Sequence, residues 1–294
     1  MGLASAGAAQ MISLHIGTPF PSPLHLRKCN MGVWKWKVKR EKKGGQVCSS
    51  HRLEGEIDEG CELVSGMELS IGEQPDRTVP AHLFKAVKNN NGTAILLLSD
   101  LFAFQDSSIT DFAYRVACNG FNVLLPDVFH GDPWKKKQPV EQTAKQDMQR
   151  VAEDIGTATK WLVEEFSAAG ISTKLGIMGF GYGGGQVIDV LARDQGACFA
   201  IGASFYGTNI DPSLGSQVKV PVLLISGDND PLCPVSVMKD LEKGIGKGSK
   251  LVIFGGRGHG FFHKPGSPEE DEDAERAFLM LRNWLHDGLV VTNI

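Results

Sequence analysis

The 294-residue sequence has no apolar run long enough to cross a membrane. A spanning helix needs roughly 20 consecutive apolar residues, whereas the longest buried-looking runs, such as Ala94 to Leu98, have only the length of a strand. This absence argues against an integral membrane protein. With 42% hydrophobic and 22% charged residues, the chain has the composition of one large globular domain.

The cysteines show neither zinc-site spacing nor a disulfide framework. Six are present, but no CxxC pair occurs among them, and we expect reduced thiols. The glycine run around Gly181 lacks the Lys-Ser/Thr end of a phosphate-binding loop. No ligand cluster has metal-like spacing, so the sequence predicts neither a metal nor an organic cofactor.

Acidic residues are nearly absent from residues 1–48, where Glu41 stands among eight Lys and Arg. This composition predicts a chloroplast transit peptide, and the alternative is a disordered basic tail on a cytoplasmic protein. Residues 49–294 are then a single domain. Without residues 1–48 the net charge is −11, which argues against nucleic acid as a partner. The sequence leaves a monomer or a homodimer open.

Strand-like and helix-like segments alternate from about Cys61 onward. This order predicts an α/β fold with a mostly parallel central sheet flanked by helices on both faces. Residues 82–87 and 93–99 predict two neighbouring strands. The residues 89–91 and Gly92 between them tolerate positive φ, so we expect an early antiparallel pair.

Two helices are marked most clearly. Apolar residues at three- and four-residue steps predict one buried stripe on a helix over residues 140–166; they are Met148, Val151, Ile155, Ala158, Leu162 and Phe166. The last helix is predicted to begin at Ser267 as its cap, with Pro268 in the first turn and Glu270 completing a capping box.

The segment from Gly179 to Gly185 has the pattern of a catalytic turn without the catalytic side chain. In a nucleophile elbow, small residues flank a Ser or Cys by two positions on each side. Gly179 and Gly183 fit these flanks, but Gly181 stands at the centre. Glycine offers no atom that can form a covalent intermediate.

An acid and a base follow later strands in the order that such a fold requires. Asp230 lies after the apolar segment 220–226, and His259 lies after the segment 251–254, between Gly258 and Gly260. The order nucleophile, acid, histidine is that of an α/β-hydrolase triad. We therefore expect Asp230 to orient the imidazole of His259, which would accept a proton.

These motifs resemble the dienelactone hydrolase family, especially its plant carboxymethylenebutenolidase-like members, over roughly Glu62 to Leu285. The matching segments are 97–104, 126–134, the glycine turn, 226–231 and 258–261. The resemblance implies an α/β-hydrolase fold and hydrolysis of carboxylic esters or lactones. It also places Gly181 where the family has a nucleophilic Cys, and it assigns the oxyanion to the backbone N–H groups of Leu101 and Tyr182.

The resemblance further implies a substrate-binding region made by Asp100, Phe102, His130 and His263. Asp100 stands where the family often has a Glu that gates the Cys. His130 and His263 stand where family enzymes that take carboxylate-bearing lactones have arginines. The loss of the bidentate arginine fork argues against the substrate that gives the family its name.

The sequence thus predicts a hydrolase of small esters or lactones whose triad is reduced to Asp230 and His259, with impaired activity. The alternative is a non-catalytic receptor or carrier that keeps the same pocket for a small carbonyl compound. A third hypothesis makes Cys233, three residues past Asp230, a substitute nucleophile.

Overall fold

The computed structural model describes residues 64–72, 78–101, 107–131, 140–168, 175–246 and 248–290. All of them belong to the unit Ser49–Ile294. The predicted transit peptide and Phe102 lie outside the described residues. No helix within these ranges is both long and apolar enough to cross a membrane.

Strands and α-helices alternate along most of the described chain. They are β1 (Val64–Ile71), β2 (Val79–Ala86), β3 (Ala94–Leu98), α1 (Ser107–Cys118), β4 (Asn122–Pro126), α2 (Val140–Ala168), β5 (Leu175–Phe180), α3 (Tyr182–Asp194), β6 (Phe199–Phe205), β7 (Val222–Gly227), α4 (Val235–Ile245), β8 (Lys250–Phe254) and α5 (Pro268–Leu285). A 3₁₀ helix, Pro212–Gln217, precedes β7, and a π-helical turn, His286–Val290, follows α5.

The strands form one sheet in the order β1-β2-β4-β3-β5-β6-β7-β8. β2 is antiparallel to β1 and β4, and every other pair is parallel. The predicted mostly parallel sheet is confirmed. Because parallel strands end at the same edge, the loops after β3, β5, β6, β7 and β8 all lie at one edge of the sheet.

The prediction that the second and third strands are neighbours is wrong, because β4 lies between them. The asparagine turn after β2 is bound to the connection between α1 and β4. Asn89 Nδ2 donates to the Cys118 carbonyl at 2.8 Å, and the Asn90 and Asn122 amides exchange two hydrogen bonds of 3.0 Å. These contacts hold the start of β4 beside the turn, so β4 takes the place next to β2.

Both of the clearly marked helices form. On α2 the predicted stripe is buried from Val151 to Phe166, whereas Met148 is 45% exposed and lies outside it. Ser267 caps α5 by accepting a hydrogen bond from the Glu270 N–H at 3.2 Å. The Glu270 carboxylate accepts from the N–H of Gly266 at 2.7 Å, one residue earlier than a capping box requires.

Phenylalanines anchor the ends of the two central strands. Phe180 ends β5 and Phe205 ends β6, and their stacked rings have centroids 5.0 Å apart. Phe262 stacks on Phe205 at 4.6 Å, and Phe112 of α1 packs edge-on against Phe180 at 4.9 Å. Aromatic pairs of this geometry add about 0.5–1.5 kcal/mol each beyond buried area, so the residues that follow both strands start from fixed positions.

Candidate active site

Asp230 and His259 come together at the carboxyl edge of the sheet, after β7 and β8 respectively. Asp230 Oδ2 lies 2.8 Å from His259 Nδ1. The other oxygen, Oδ1, accepts a hydrogen bond from the Leu232 N–H at 2.9 Å. Asp230 is only 4% exposed, so its carboxylate is fixed on both sides and leaves Nε2 as the ring nitrogen facing the rest of the site.

Gly181 keeps the backbone conformation of a catalytic turn although it carries no side chain. It joins β5 to α3 with φ 50° and ψ −115°. This φ lies in the left-handed region, where an L-residue is strained by about 1–3 kcal/mol. The Gly181 N–H donates to the Phe205 carbonyl at 3.0 Å, and its carbonyl accepts from the N–H groups of Gly185 and Thr208.

The flanking glycines are required by close backbone packing. A Cβ at Gly179 would overlap the carbonyl of Gly183, and a Cβ at Gly183 would overlap the carbonyl of Leu98. Backbone atoms of this kind cannot move aside as a side chain can. The spacing of small residues in the sequence therefore reflects the contact between β3, β5 and the start of α3.

The space next to Gly181 is filled by the carboxylate of Asp100, which follows β3. A Cβ built on Gly181 would lie 2.5 Å from Asp100 Oδ1 and 2.9 Å from Oδ2. Oδ1 accepts hydrogen bonds from the N–H of Leu101 at 2.7 Å and from the N–H of Tyr182 at 3.1 Å. These are the two amides that the resemblance assigns to an oxyanion.

His259 lies between two carboxylates. Asp100 Oδ2 is 3.9 Å from His259 Nε2, on the side of the ring opposite to Asp230. The side chains of Asp100 and His259 are 14% and 24% exposed. The structure places Asp230 and His259 in contact, and Asp100 lies between His259 and Gly181. The sequence does not indicate that Asp100 turns into this space.

The two histidines predicted to bind substrate are both engaged with other side chains. His130, in left-handed conformation after β4, has its Nε2 2.8 Å from Asp154 Oδ2 of α2. The pKa of Asp154 is raised, chiefly because burial disfavours its charge, while His130 opposes that shift. His263 Nδ1 shares a hydrogen bond with the hydroxyl of Tyr206.

Tyr206 is a site residue that the sequence analysis missed. It follows β6, is fully buried, and places its ring edge-on to His259 with centroids 5.0 Å apart. Burial, and then the charges of Asp100 and Asp230, raise its pKa well above the usual value, so the phenol stays neutral. Its position at the carboxyl end of a central parallel strand is the signal that could have identified it.

Cys233 does not have the environment of a nucleophile. It is 1% exposed, and burial is the main reason that its pKa is raised to about 11. A neutral buried thiol reacts poorly, because the thiolate is the nucleophilic form. Among the described residues, no thiol or hydroxyl hydrogen-bonds to His259. The described ranges also contain no cluster of His, Cys, Asp and Glu that could hold a metal ion.

Comparison with known proteins shows which family the chain resembles. The model of the dienelactone hydrolase family matches residues 79–289. The carboxymethylenebutenolidase homolog of Homo sapiens is 27% identical over 207 residues, covering 66% of this chain and 82% of that protein.

Solved structures share the fold. The crystal structure of dienelactone hydrolase from Anabaena variabilis has a TM-score of 0.57 at 20% identity and covers 77% of this chain and 98% of its own. A dienelactone hydrolase-like promiscuous phosphotriesterase from metagenomic libraries has a TM-score of 0.58 at 15% identity, covering 75% of this chain and 98% of its own. The predicted α/β-hydrolase fold is confirmed.

Proposed function

The chain belongs to the dienelactone hydrolase family, and from this premise we propose that it hydrolyses small carboxylic esters or lactones slowly, without a side-chain nucleophile. The observation that carries this proposal is the contact of 2.8 Å between Asp230 and His259. The free ring nitrogen, Nε2, lies 3.9 Å from Asp100, whose other oxygen accepts hydrogen bonds from the amides of Leu101 and Tyr182. A base and two oxyanion donors are what water attack on a carbonyl requires.

In the proposed reaction, His259 Nε2 removes a proton from a water molecule while the water oxygen attacks the carbonyl carbon. Asp230 holds the imidazole in the correct tautomer and stabilises its charged form. Asp100 turns outward, so that the N–H groups of Leu101 and Tyr182 donate to the new oxyanion. When the intermediate collapses, the alcohol leaves with the proton from His259, and the acid is released.

Two features of the site lower the proposed rate. Gly181 removes covalent catalysis, and the loss of a triad nucleophile lowers turnover by about a million-fold in serine hydrolases, with roughly 10³–10⁴ over water retained. Asp100 also occupies both oxyanion donors at rest, so a substrate must displace a charged acceptor before reaction.

A second candidate function is a receptor or carrier that binds a small carbonyl compound without turnover. The same two hydrogen bonds to Asp100 favour it. A carboxylate that already satisfies the amides makes a stable resting pocket with no reactive atom at Gly181.

The test is hydrolysis of an aryl acetate and an enol-lactone by the natural chain, Gly181→Ala and Gly181→Cys, each with and without His259→Ala. Both substitutions at Gly181 displace Asp100, but only Cys adds a nucleophile. We expect slow turnover that depends on His259 in the natural chain and a gain of at least about 10³-fold in Gly181→Cys alone. Turnover in the natural chain that survives His259→Ala contradicts the proposal. Ligand-induced thermal stabilisation without any turnover favours the receptor.

We also propose that residues 1–48 are a chloroplast transit peptide and residues 49–294 the functional domain, supported by the scarcity of acids before Cys48. A fusion of residues 1–48 to a fluorescent protein should enter chloroplasts. Diffuse cytoplasmic fluorescence contradicts this assignment.

A further inference from the structure

The carboxylate of Asp100 has the position and the contacts of a nucleophile. It fills the volume that a side chain on Gly181 would occupy, since a Cβ there would lie 2.6 Å from Asp100 Cγ. We propose that Asp100 is a covalent nucleophile toward sp³ carbon electrophiles with an anionic leaving group, such as primary alkyl halides. This activity goes beyond the proposed ester hydrolysis and shares with it only Asp230, His259 and the two amides.

The two oxygens of Asp100 are in different states. Oδ1 accepts hydrogen bonds from the N–H groups of Leu101 and Tyr182, at 2.7 and 3.1 Å. Oδ2 accepts no hydrogen bond from the described residues and lies 3.9 Å from His259 Nε2. Among the described residues, one oxygen is therefore fixed by backbone donors and the other has no donor, in a side chain that is only 14% exposed.

In the first step Asp100 Oδ2 attacks the carbon of the substrate, and the carbon–halogen bond breaks with its electron pair. An alkyl ester of Asp100 forms and halide leaves. A halide needs no proton on departure, whereas an epoxide oxygen does. Tyr206, whose ring touches His259, has its hydroxyl engaged with His263, so the site favours the leaving group that needs no acid.

In the second step His259 Nε2 takes a proton from water, and the water oxygen attacks Cγ of the ester. Negative charge then develops on Oδ1, which already accepts two backbone N–H groups. The N–H groups of Leu101 and Tyr182 cannot reach the carbonyl of an external ester while Asp100 occupies them. They are correctly placed to stabilise the oxyanion that forms on the ester of Asp100 itself. Collapse breaks the bond between Cγ and Oδ2. The alcohol leaves with the proton of His259, and one water oxygen stays in the regenerated carboxylate.

Gly181 is necessary for this arrangement. Any side chain at position 181 would overlap both Asp100 oxygens and force the carboxylate out of contact with the amides. Gly181→Ala should therefore lower the dehalogenation rate. It should raise the rate of ester hydrolysis, because it frees the same amides for a substrate carbonyl. The opposite response separates the two activities.

The experiment uses the full chain with 1-bromobutane. Bromide release is measured first, and one turnover is then run in H₂¹⁸O and followed by mass spectrometry of the peptide that contains Asp100. We expect one ¹⁸O in that peptide and none in the first-turnover butanol. His259→Gln should stop the second step and accumulate a butyl group on Asp100.

Asp100→Asn is the matched control, because its amide oxygen can still accept the Leu101 and Tyr182 N–H groups. Its bromide release should fall by about 10⁴-fold or more, to background, while the thermal midpoint shows that it folds. No bromide release from the natural chain, ¹⁸O in the first-turnover butanol, or a butyl group on another residue each overturns the proposal. If ester hydrolysis persists in those cases, the proposed function stands alone.

Discussion

The site has two halves, which meet where Asp100 lies beside the imidazole of His259. The acid–base half consists of Asp230 and His259, and the nucleophile half consists of Gly181, Asp100 and Tyr182. Asp230 binds the imidazole at 2.8 Å, whereas Asp100 is bound by backbone amides and stays 3.9 Å from the ring.

This difference indicates that the residues of the nucleophile half can change while the contact between Asp230 and His259 is retained. The acid–base half depends on the loops after β7 and β8, whereas the three atoms nearest to a Cβ on Gly181 all belong to Asp100. We therefore expect a side chain at position 181 to displace Asp100 first and to leave the 2.8 Å contact between Asp230 and His259 in place.

The largest expected effect tests whether the acid–base half still works. In the Gly181→Cys background, Asp230→Asn should lower ester turnover by about 10⁴-fold, because the amide favours the wrong imidazole tautomer. Steady-state kinetics measures the loss. Asp211→Asn is the charge control, because Asp211 is an exposed acid that caps the 3₁₀ helix Pro212–Gln217. A loss below about tenfold would mean that the two halves do not cooperate.

A smaller effect compares two glycines of the same turn. Gly183→Ala should destabilise the fold by about 3 kcal/mol, because its Cβ meets the backbone carbonyls of Leu98 and Ser99. Gly181→Ala should cost only about 1–2 kcal/mol, since it strains φ but meets a side chain that can rotate. Urea unfolding measures both. Equal costs would show that Asp100 is not free to move.

The smallest effect concerns Cys233, the thiol beside the acid–base half. Its pKa is raised to about 11 in the folded state, above the value in the unfolded chain. The folded state therefore binds its proton more tightly. The resulting stabilisation is complete below about pH 9 and is lost as the pH rises through about 11.

Cys233→Ser should remove this dependence, on the order of 2 kcal/mol at most. Unfolding free energies of both chains between pH 8 and pH 11 should converge as the natural chain loses its advantage. Cys198→Ser, whose thiol also has a pKa of about 11 but is partly exposed, should show the same sign with a smaller size. A constant difference across this range contradicts the assignment.

The sequence predicts those parts of the molecule that depend on local pattern. Strand-ending loops at Asp230 and His259, the small residues around Gly181 and the cap at Ser267 each follow from a few adjacent residues. Asp100 and Gly181 are 81 positions apart, so the rotamer that brings them together depends on the absence of a distant side chain. The place of β4 likewise depends on hydrogen bonds of the asparagine turn to a connection that no periodicity reveals.

The hydrogen bonds from Leu101 and Tyr182 to Asp100 also set how readily ligands can be found. The chain carries a tethered competitor for its own amides, so the apparent affinity of any ligand that needs them is reduced by the fraction of molecules in which Asp100 is turned out. If Asp100 prefers the inward rotamer by about 2.8 kcal/mol, a ligand with a micromolar intrinsic Kd would show an apparent Kd about a hundredfold higher. Ligand screening with the Asp100→Ala variant should measure the intrinsic Kd, because this variant lacks the competing carboxylate.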